Sequence, residues 1–220
     1  MLYTNGNSPV QCIMTNSSCY KGTTTFNPMG VLWHSTGAHN TSIKRYVQPS
    51  KNDPKYNELL ELIGVNDYQN SWNQMNVDAG VNAFIGKLKS GTVTSVQVLP
   101  WNYRPWGVAS GVKGSLNNTH IQFEICEDGL YDKEYFTKVY NEACELTAYL
   151  CKMYGLDPKG TFIYNGVNVP VILCHQDAAR LGFASNHEDV LHWFKIQGKT
   201  MDDVRNDVAK IMGSSATTVT

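Results

Sequence analysis

The stretch "THIQFEICEDGLYDKEYFTKVYNEACELTAYLCKMYGL", residues 119–156, does most to restrict the folds open to this chain. Over Tyr131–Leu156, Phe136, Val139, Tyr140, Ala143, Leu146 and Leu150 recur at three- and four-residue steps, the apolar stripe of a long amphipathic helix. Thr119–Glu127 alternates instead, with Ile121, Phe123 and Ile125 on one face and Gln122, Glu124 and Cys126 on the other. A strand followed at once by a long helix is a unit of a layered α/β fold.

Other segments continue the alternation. "GVLWHSTG" (Gly30–Gly37) and "VPVILCH" (Val169–His175) are apolar runs with the profile of buried strands. "VNAFIGKLKSGTVTSVQVLP" (Val81–Pro100) predicts a hairpin around "KSGT", and Val10–Thr15 a short strand. "PKYNELLELIG" (Pro54–Gly64) starts at Pro and stops at Gly, and "TMDDVRNDVAKIMG" (Thr200–Gly213) runs from a Thr cap to a Gly, so both predict helices. The expected fold is a central mixed β-sheet flanked by helices. Residues 1–212 form one domain, and 213–220 read as a tail or the start of a linker.

Composition removes several function classes. A formal net charge of −1 gives no electrostatic footprint for nucleic acid or anionic lipid. The N-terminus shows no apolar signal segment, and no run approaches the roughly 18 apolar residues of a membrane span, so the chain is expected to be held first in a cytoplasm. Six cysteines without a CxxC pair read as free, buried thiols. Aromatics at 11% suit either a polymer-binding groove or a core edged with Tyr. Loop 101–118, "WNYRPWGVASGVKGSLNN", is long enough to suggest a role in function.

His34 and His175 each end an apolar strand-like run, the position at which α/β folds present reactive groups. Either alone reads most simply as a structural histidine. Together with "SNHED" (Ser185–Asp189), which offers His187 or Asp189, they make a two-histidine, one-carboxylate zinc set conceivable, and with it amide hydrolysis. His39, His120 and His192 lack this placement and read as solvated or packing residues. There is no GxSxG sequence for a serine nucleophile and no phosphate-binding glycine fingerprint.

"WHSTG" (Trp33–Gly37), "IQFEICE" (Ile121–Glu127), "LCH" (Leu173–His175) and "SNHED", in that order, resemble the type-2 N-acetylmuramoyl-L-alanine amidases. These are the zinc amidases of phage endolysins and bacterial autolysins, and they share a fold with peptidoglycan recognition proteins. The resemblance spans residues 28–212 and is strongest to the pneumococcal-type autolysin amidase domain. It implies zinc ligation by His34, His175 and Asp189, with Glu124 as general base and His187 stabilising the transition state. An alternative arrangement puts His187 on the metal with Asp189 behind it.

The resemblance also implies bacterial peptidoglycan as substrate and a cytoplasmic enzyme freed by a holin-type membrane protein. A wall-binding domain beyond Thr220 is a further expectation. Trp101, Tyr103, Arg104 and Trp106 are the expected groove wall, with Arg104 facing a stem-peptide carboxylate. Two departures stand out. Asn82-Ala83-Phe84 replaces the Tyr-His pair of many phage members, and Trp106-Gly107-Val108 replaces a common "WHA". A non-catalytic peptidoglycan-binding module and a zinc peptidase of the stem peptide or cross-bridge are the competing readings.

Overall fold

Strand β2 (Gly30–Ser35) is buried at every position because it runs through the middle of a six-stranded sheet. A computed structural model describes residues 2–214. The sheet is ordered β1-β4-β3-β5-β2-β8, with β1 Val10–Gln11, β3 Ala83–Lys87, β4 Val93–Gln97, β5 His120–Ile125 and β8 Ile172–Cys174. β2 pairs in parallel with β5 and β8, β3 in parallel with β5, and β1 in parallel with β4, while β3 and β4 form an antiparallel hairpin. The mixed sheet expected from the sequence is therefore present. Strands covered on both faces have no solvent side, which is why they read as near-continuous apolar runs.

Helix α3 (Lys133–Tyr154) covers one face of the sheet. Asp132 caps its start by accepting from the Tyr135 N–H, and Gly155 ends it at a φ of +65°. Its stripe packs against Val31, Trp33, Ala83, Ile85, Ile121, Phe123 and Ile125. Trp33 is fully buried there, 5.2 Å from Phe123 between ring centres, and its indole N–H donates to Thr147 Oγ1 at 3.1 Å. Helices α5 (Leu191–Gln197) and α6 (Met201–Ser214) complete the layer with Trp193, Phe194, Val204 and Val208.

The other face carries two separate apolar clusters. One joins Phe84 and Val96 to Ile43 and Tyr46, and to Leu59 and Ile63 of α2 (Tyr56–Ile63). The other joins Leu32 and Leu173 to Val108, Leu116, Phe183 and Ala178, the last on α4 (His175–Leu181). Between them the strand positions on this face are polar: His34 on β2, and Gln122 and Glu124 on β5. Two neighbours fix the place of Glu124, because β5 sets it opposite His34 on one side and opposite Phe84 on the other.

Several elements differ from the sequence expectation. The strand expected over Val169–His175 is two strands, β7 (Val167–Pro170) and β8, and His175 is the first residue of α4 rather than the last of a strand. Pro170 lacks an N–H and Val171 instead donates to the Gly160 carbonyl, so the ladder breaks there. β7 pairs with β6 (Thr161–Tyr164) in a hairpin turning on Asn165-Gly166, both at positive φ. That Asn-Gly pair was the available signal. The expected strand Val10–Thr15 is only the two residues of β1, and a four-residue helix α1 (Ser18–Lys21) follows it. Helix α6 passes through Gly213, the expected stop, and takes in the first two residues of the tail expected over 213–220; the rest, 215–220, lies outside the described residues. All six cysteines are buried and unpaired, and among the described residues no helix is long and apolar enough to cross a membrane.

Trp33→Ala should leave a cavity behind His34 and remove the indole N–H that Thr147 Oγ1 accepts, while Thr147 keeps its bond to the Ala143 carbonyl. We expect a loss of about 3–5 kcal/mol in unfolding free energy, measured by urea titration.

Candidate metal centre

His34 reaches this site from the end of β2, His175 from the start of α4, and Asp189 from the loop between α4 and α5. Their donor atoms converge. His34 Nδ1 lies 3.1 Å from Asp189 Oδ2 and 3.1 Å from His175 Nδ1, and His175 Nδ1 lies 3.5 Å from Asp189 Oδ1. A tetrahedral ion with ligand bonds of about 2.0–2.1 Å needs donor atoms about 3.3 Å apart, so this set fits a metal such as zinc. The third converging atom is a carboxylate oxygen of Asp189. The His187 ring lies outside the set, 4.6 Å from His175 between centroids, exposed and with Nδ1 3.0 Å from Ser185 Oγ.

Each histidine is held from behind. His34 Nε2 lies 2.9 Å from Gln122 Oε1, and His175 Nε2 lies 3.3 Å from Ser185 Oγ. Ser185 is fixed to the loop before β5, its N–H donating to the Val108 carbonyl at 2.9 Å. Metal-binding histidines commonly use their second nitrogen in this way.

Burial, the largest influence on Asp189, would raise its pKa, but hydrogen bonds with His175 and His34 hold the carboxyl well below the usual carboxylate range. Burial also opposes charge on His34, yet the Asp189 hydrogen bond and the charge of Glu124 outweigh it and raise its pKa. For His175 burial wins and its pKa is lowered. The directions describe one cluster in which Asp189 is ionised, His34 is the more readily protonated imidazole and His175 the less.

Glu124 stands beside this cluster with Oε2 sealed from solvent and without a hydrogen-bond partner. Burial pushes its pKa up to about 8; the charges of Asp189 and Glu127 add to the effect and His34 opposes it. A buried carboxylate oxygen without a partner, beside two imidazoles and a second carboxylate, completes a set of groups whose chemistry fits a divalent cation.

Trp101 does not line this site. Its side chain is buried in the α3 layer against Tyr149, on the far face of the sheet. Tyr103 packs on Tyr20 with ring centres 5.5 Å apart and planes tilted by 30°, and Arg104 Nε donates to Asn118 Oδ1 at 2.6 Å. Trp106 is nearest in sequence to the centre, since the next residue, Gly107, would place a Cβ 3.1 Å from His34 Nε2. A cleft of about 900 Å³ between α4, α5 and α6, lined by Arg180, Lys195 and Arg205, includes none of the three converging residues.

His192, read from sequence as a solvated or packing residue, pairs through Nε2 with Glu127 Oε1 at 2.9 Å, and Ser35 Oγ donates to that same oxygen at 2.5 Å. This ties α5, and so the Asp189 loop, to the end of β2. His120 is fully buried, and burial lowers its pKa to about 4, so it is a neutral packing residue. Sequence reasoning missed Gln122, Ser185, Glu127 and His192 as supports, because no spacing pattern marks a hydrogen bond to the back of a ligand.

The family model for N-acetylmuramoyl-L-alanine amidase matches residues 24–190. The chain belongs to that family. Its matched segment runs from before β2 to Val190, so it contains all three converging residues and Glu124. Solved structures of amidases and endolysins share the fold. Staphylococcus aureus hydrolase AmiA, in complex with its ligand, aligns at a TM-score of 0.61 and 18% identity over 98% of this chain and 89% of its own. The catalytic domain of XlyA aligns at 0.58 and 14%, covering 91% of this chain and 99% of its own. The PlyG catalytic domain aligns at 0.55 and 17%, covering 97% and 99%. A search of curated proteins finds no match to this chain. Family membership supports amidase activity on peptidoglycan.

Glu124 gives a pH test in the metal-free amidase. Its folded-state pKa, about 8, lies above the value of 4.5 expected when unfolded, so the neutral acid is favoured by folding. Its contribution to stability is complete below about pH 4.5 and is lost as pH rises through about 8. With chelator present, Glu124→Gln should melt above the parent at pH 9 and match it near pH 4.5, measured by thermal unfolding.

Proposed function

We propose that this chain is a zinc-dependent hydrolase of the amide between N-acetylmuramic acid and L-alanine in peptidoglycan. The observation that carries this reading is the convergence of His34 Nδ1, His175 Nδ1 and the Asp189 carboxylate, with separations of 3.1–3.5 Å to one or other of its oxygens, and the partnerless Glu124 beside them. When bound, zinc supplies a Lewis acid that acidifies water and polarises the scissile carbonyl. Glu124 takes the proton of the attacking water on Oε2, the oxygen that no other group satisfies. Its buried position keeps it basic enough to hold that proton and pass it to the departing amine of L-alanine.

His187 has a different part. It is exposed at the rim, its ring beside His175, and Ser185 orients it through Nδ1. The exposed ring is available to stabilise the carbonyl oxygen of the reacting amide as charge develops there. Trp106, with Tyr103 and Arg104 behind it, supplies one wall of the groove along which a glycan strand or stem peptide lies. A non-catalytic binding module would have no use for three converging donors and an unpaired base. The family match favours the amidase bond over a peptide bond within the stem.

Two measurements test this. Digestion of purified wall should release L-alanine amino termini and leave intact muramic acid; new termini of any other residue would identify a peptidase instead. Asp189→Ala should abolish stoichiometric zinc binding, whereas His187→Ala and Glu124→Gln should keep zinc and lose about 100-fold or more in turnover. The reverse pattern for Asp189 and His187 would exchange their roles.

A further inference from the structure

The loop Trp106–Asn118 reaches the back of His34 through two buried amide side chains whose orientations follow one from the other. Asn117 Oδ1 accepts from the backbone N–H of Gly107 at 3.1 Å and of Val108 at 3.2 Å. Backbone N–H groups only donate, so this atom of Asn117 must be the carbonyl oxygen. Its amide nitrogen then faces the Ala109 carbonyl, 3.3 Å away. The group that meets Asn117 Oδ1 from β5, at 2.9 Å, must also be a donor, which makes it Gln122 Nε2. The remaining end of Gln122 is Oε1, an acceptor, 2.9 Å from His34 Nε2. His34 Nε2 must therefore carry a proton, so in the neutral ring the lone pair is on Nδ1, the atom turned towards Asp189 and His175; a second proton, on Nδ1, makes the ring cationic and forms the Asp189 hydrogen bond.

The packing agrees with this chain of donors. Gln122 is fully buried, and its Oε1 occupies the space of a side chain at position 107: a Cβ there would lie 2.1 Å from it. Glycine at 107, in place of the histidine of the "WHA" pattern, and glutamine at 122 are thus a matched pair. A larger residue at 107 cannot coexist with Gln122 in its present position.

We propose that Gln122 is a positioning residue of the metal centre: it locks His34 in the Nε2–H tautomer that leaves Nδ1 free to coordinate, and Gly107 is small to admit it. This rests on the reading of His34 as a metal ligand. Gln122 touches neither the ion nor the substrate. It acts through His34, with Asn117 and two backbone N–H groups fixing its direction.

The test compares the parent with Gln122→Leu, which retains side-chain volume and removes both hydrogen bonds. Zinc affinity is measured by competition with a chromogenic chelator, and the His34 tautomer by long-range proton–nitrogen correlation spectra of the zinc-free protein at a pH alkaline enough for the ring to be neutral. We expect the Nε2–H signature of His34 in the parent, its loss in Gln122→Leu, and zinc binding weaker by about 10–100-fold. A folded Gln122→Leu that keeps the Nε2–H form and binds zinc within two-fold of the parent would overturn the proposal.

Gly107→Ala carries the test if Gln122→Leu does not fold. It should weaken zinc binding in the parent and cost less in a Gln122→Ala background, where the clash with Oε1 is gone and only the closer approach to His34 Nε2 remains. An equal cost in both backgrounds would also overturn the proposal. A parent that binds no zinc would refute the metal reading alone, since the tautomer spectrum needs no metal.

Discussion

The parallel pairing of β2 with β5 sets His34 opposite Glu124, and the rest of the site is built around that pair. Side chains along a strand alternate between faces, so a slip of one residue would send His34 into the α3 layer and bring Trp33 onto the polar face. The apolar interior prevents the slip. Val31, Trp33, Ile121, Phe123 and Ile125 are all buried against α3, and moving any of them to the other face would expose a large side chain or bury a charged one. The long helix is therefore more than a cover: it fixes the register that aims the catalytic face.

The second constraint is electrostatic. Two imidazoles, Asp189 and Glu124 are gathered where water is largely excluded, between two apolar clusters that flank the polar strand positions. Gathering them costs free energy, which shows as the raised pKa of Glu124 and its unsatisfied oxygen. Hydrogen bonds from outside the cluster keep it in place. Gln122 and Ser185 hold the two histidines, and the His192–Glu127 pair holds the loop that bears Asp189. Stability is spent here to preorganise donors that repel or desolvate one another.

Parts of this arrangement were legible in the sequence. The three-and-four spacing of Phe136 to Leu150 gave α3 almost to its ends, and the alternation through Ile121, Phe123 and Ile125 gave both β5 and the face on which Glu124 stands. Placement at the ends of apolar runs singled out His34 and His175, although His175 begins a helix and does not end a strand. The roles of Glu124 and Asp189 came only from resemblance to a family, since a lone strand carboxylate has no distinguishing spacing. Trp101 was misread because aromatic content in a loop says nothing of direction, and its ring packs on Tyr149 in the core.

The sequence by itself determined the periodicities, and with them the sheet, its covering helix and the strand positions that could carry polar groups. Those are local properties, set by 2-residue and 3.6-residue repeats within one segment. Only the tertiary structure decided which groups meet. His34 and Asp189 are 155 residues apart in the chain, and His34 and His175 are 141 apart. It also decided which end of the Gln122 amide faces His34, because backbone N–H groups from another loop dictate that choice through Asn117. Hydrogen-bond direction and donor spacing depend on distances across the fold, and no repeat along the chain encodes them.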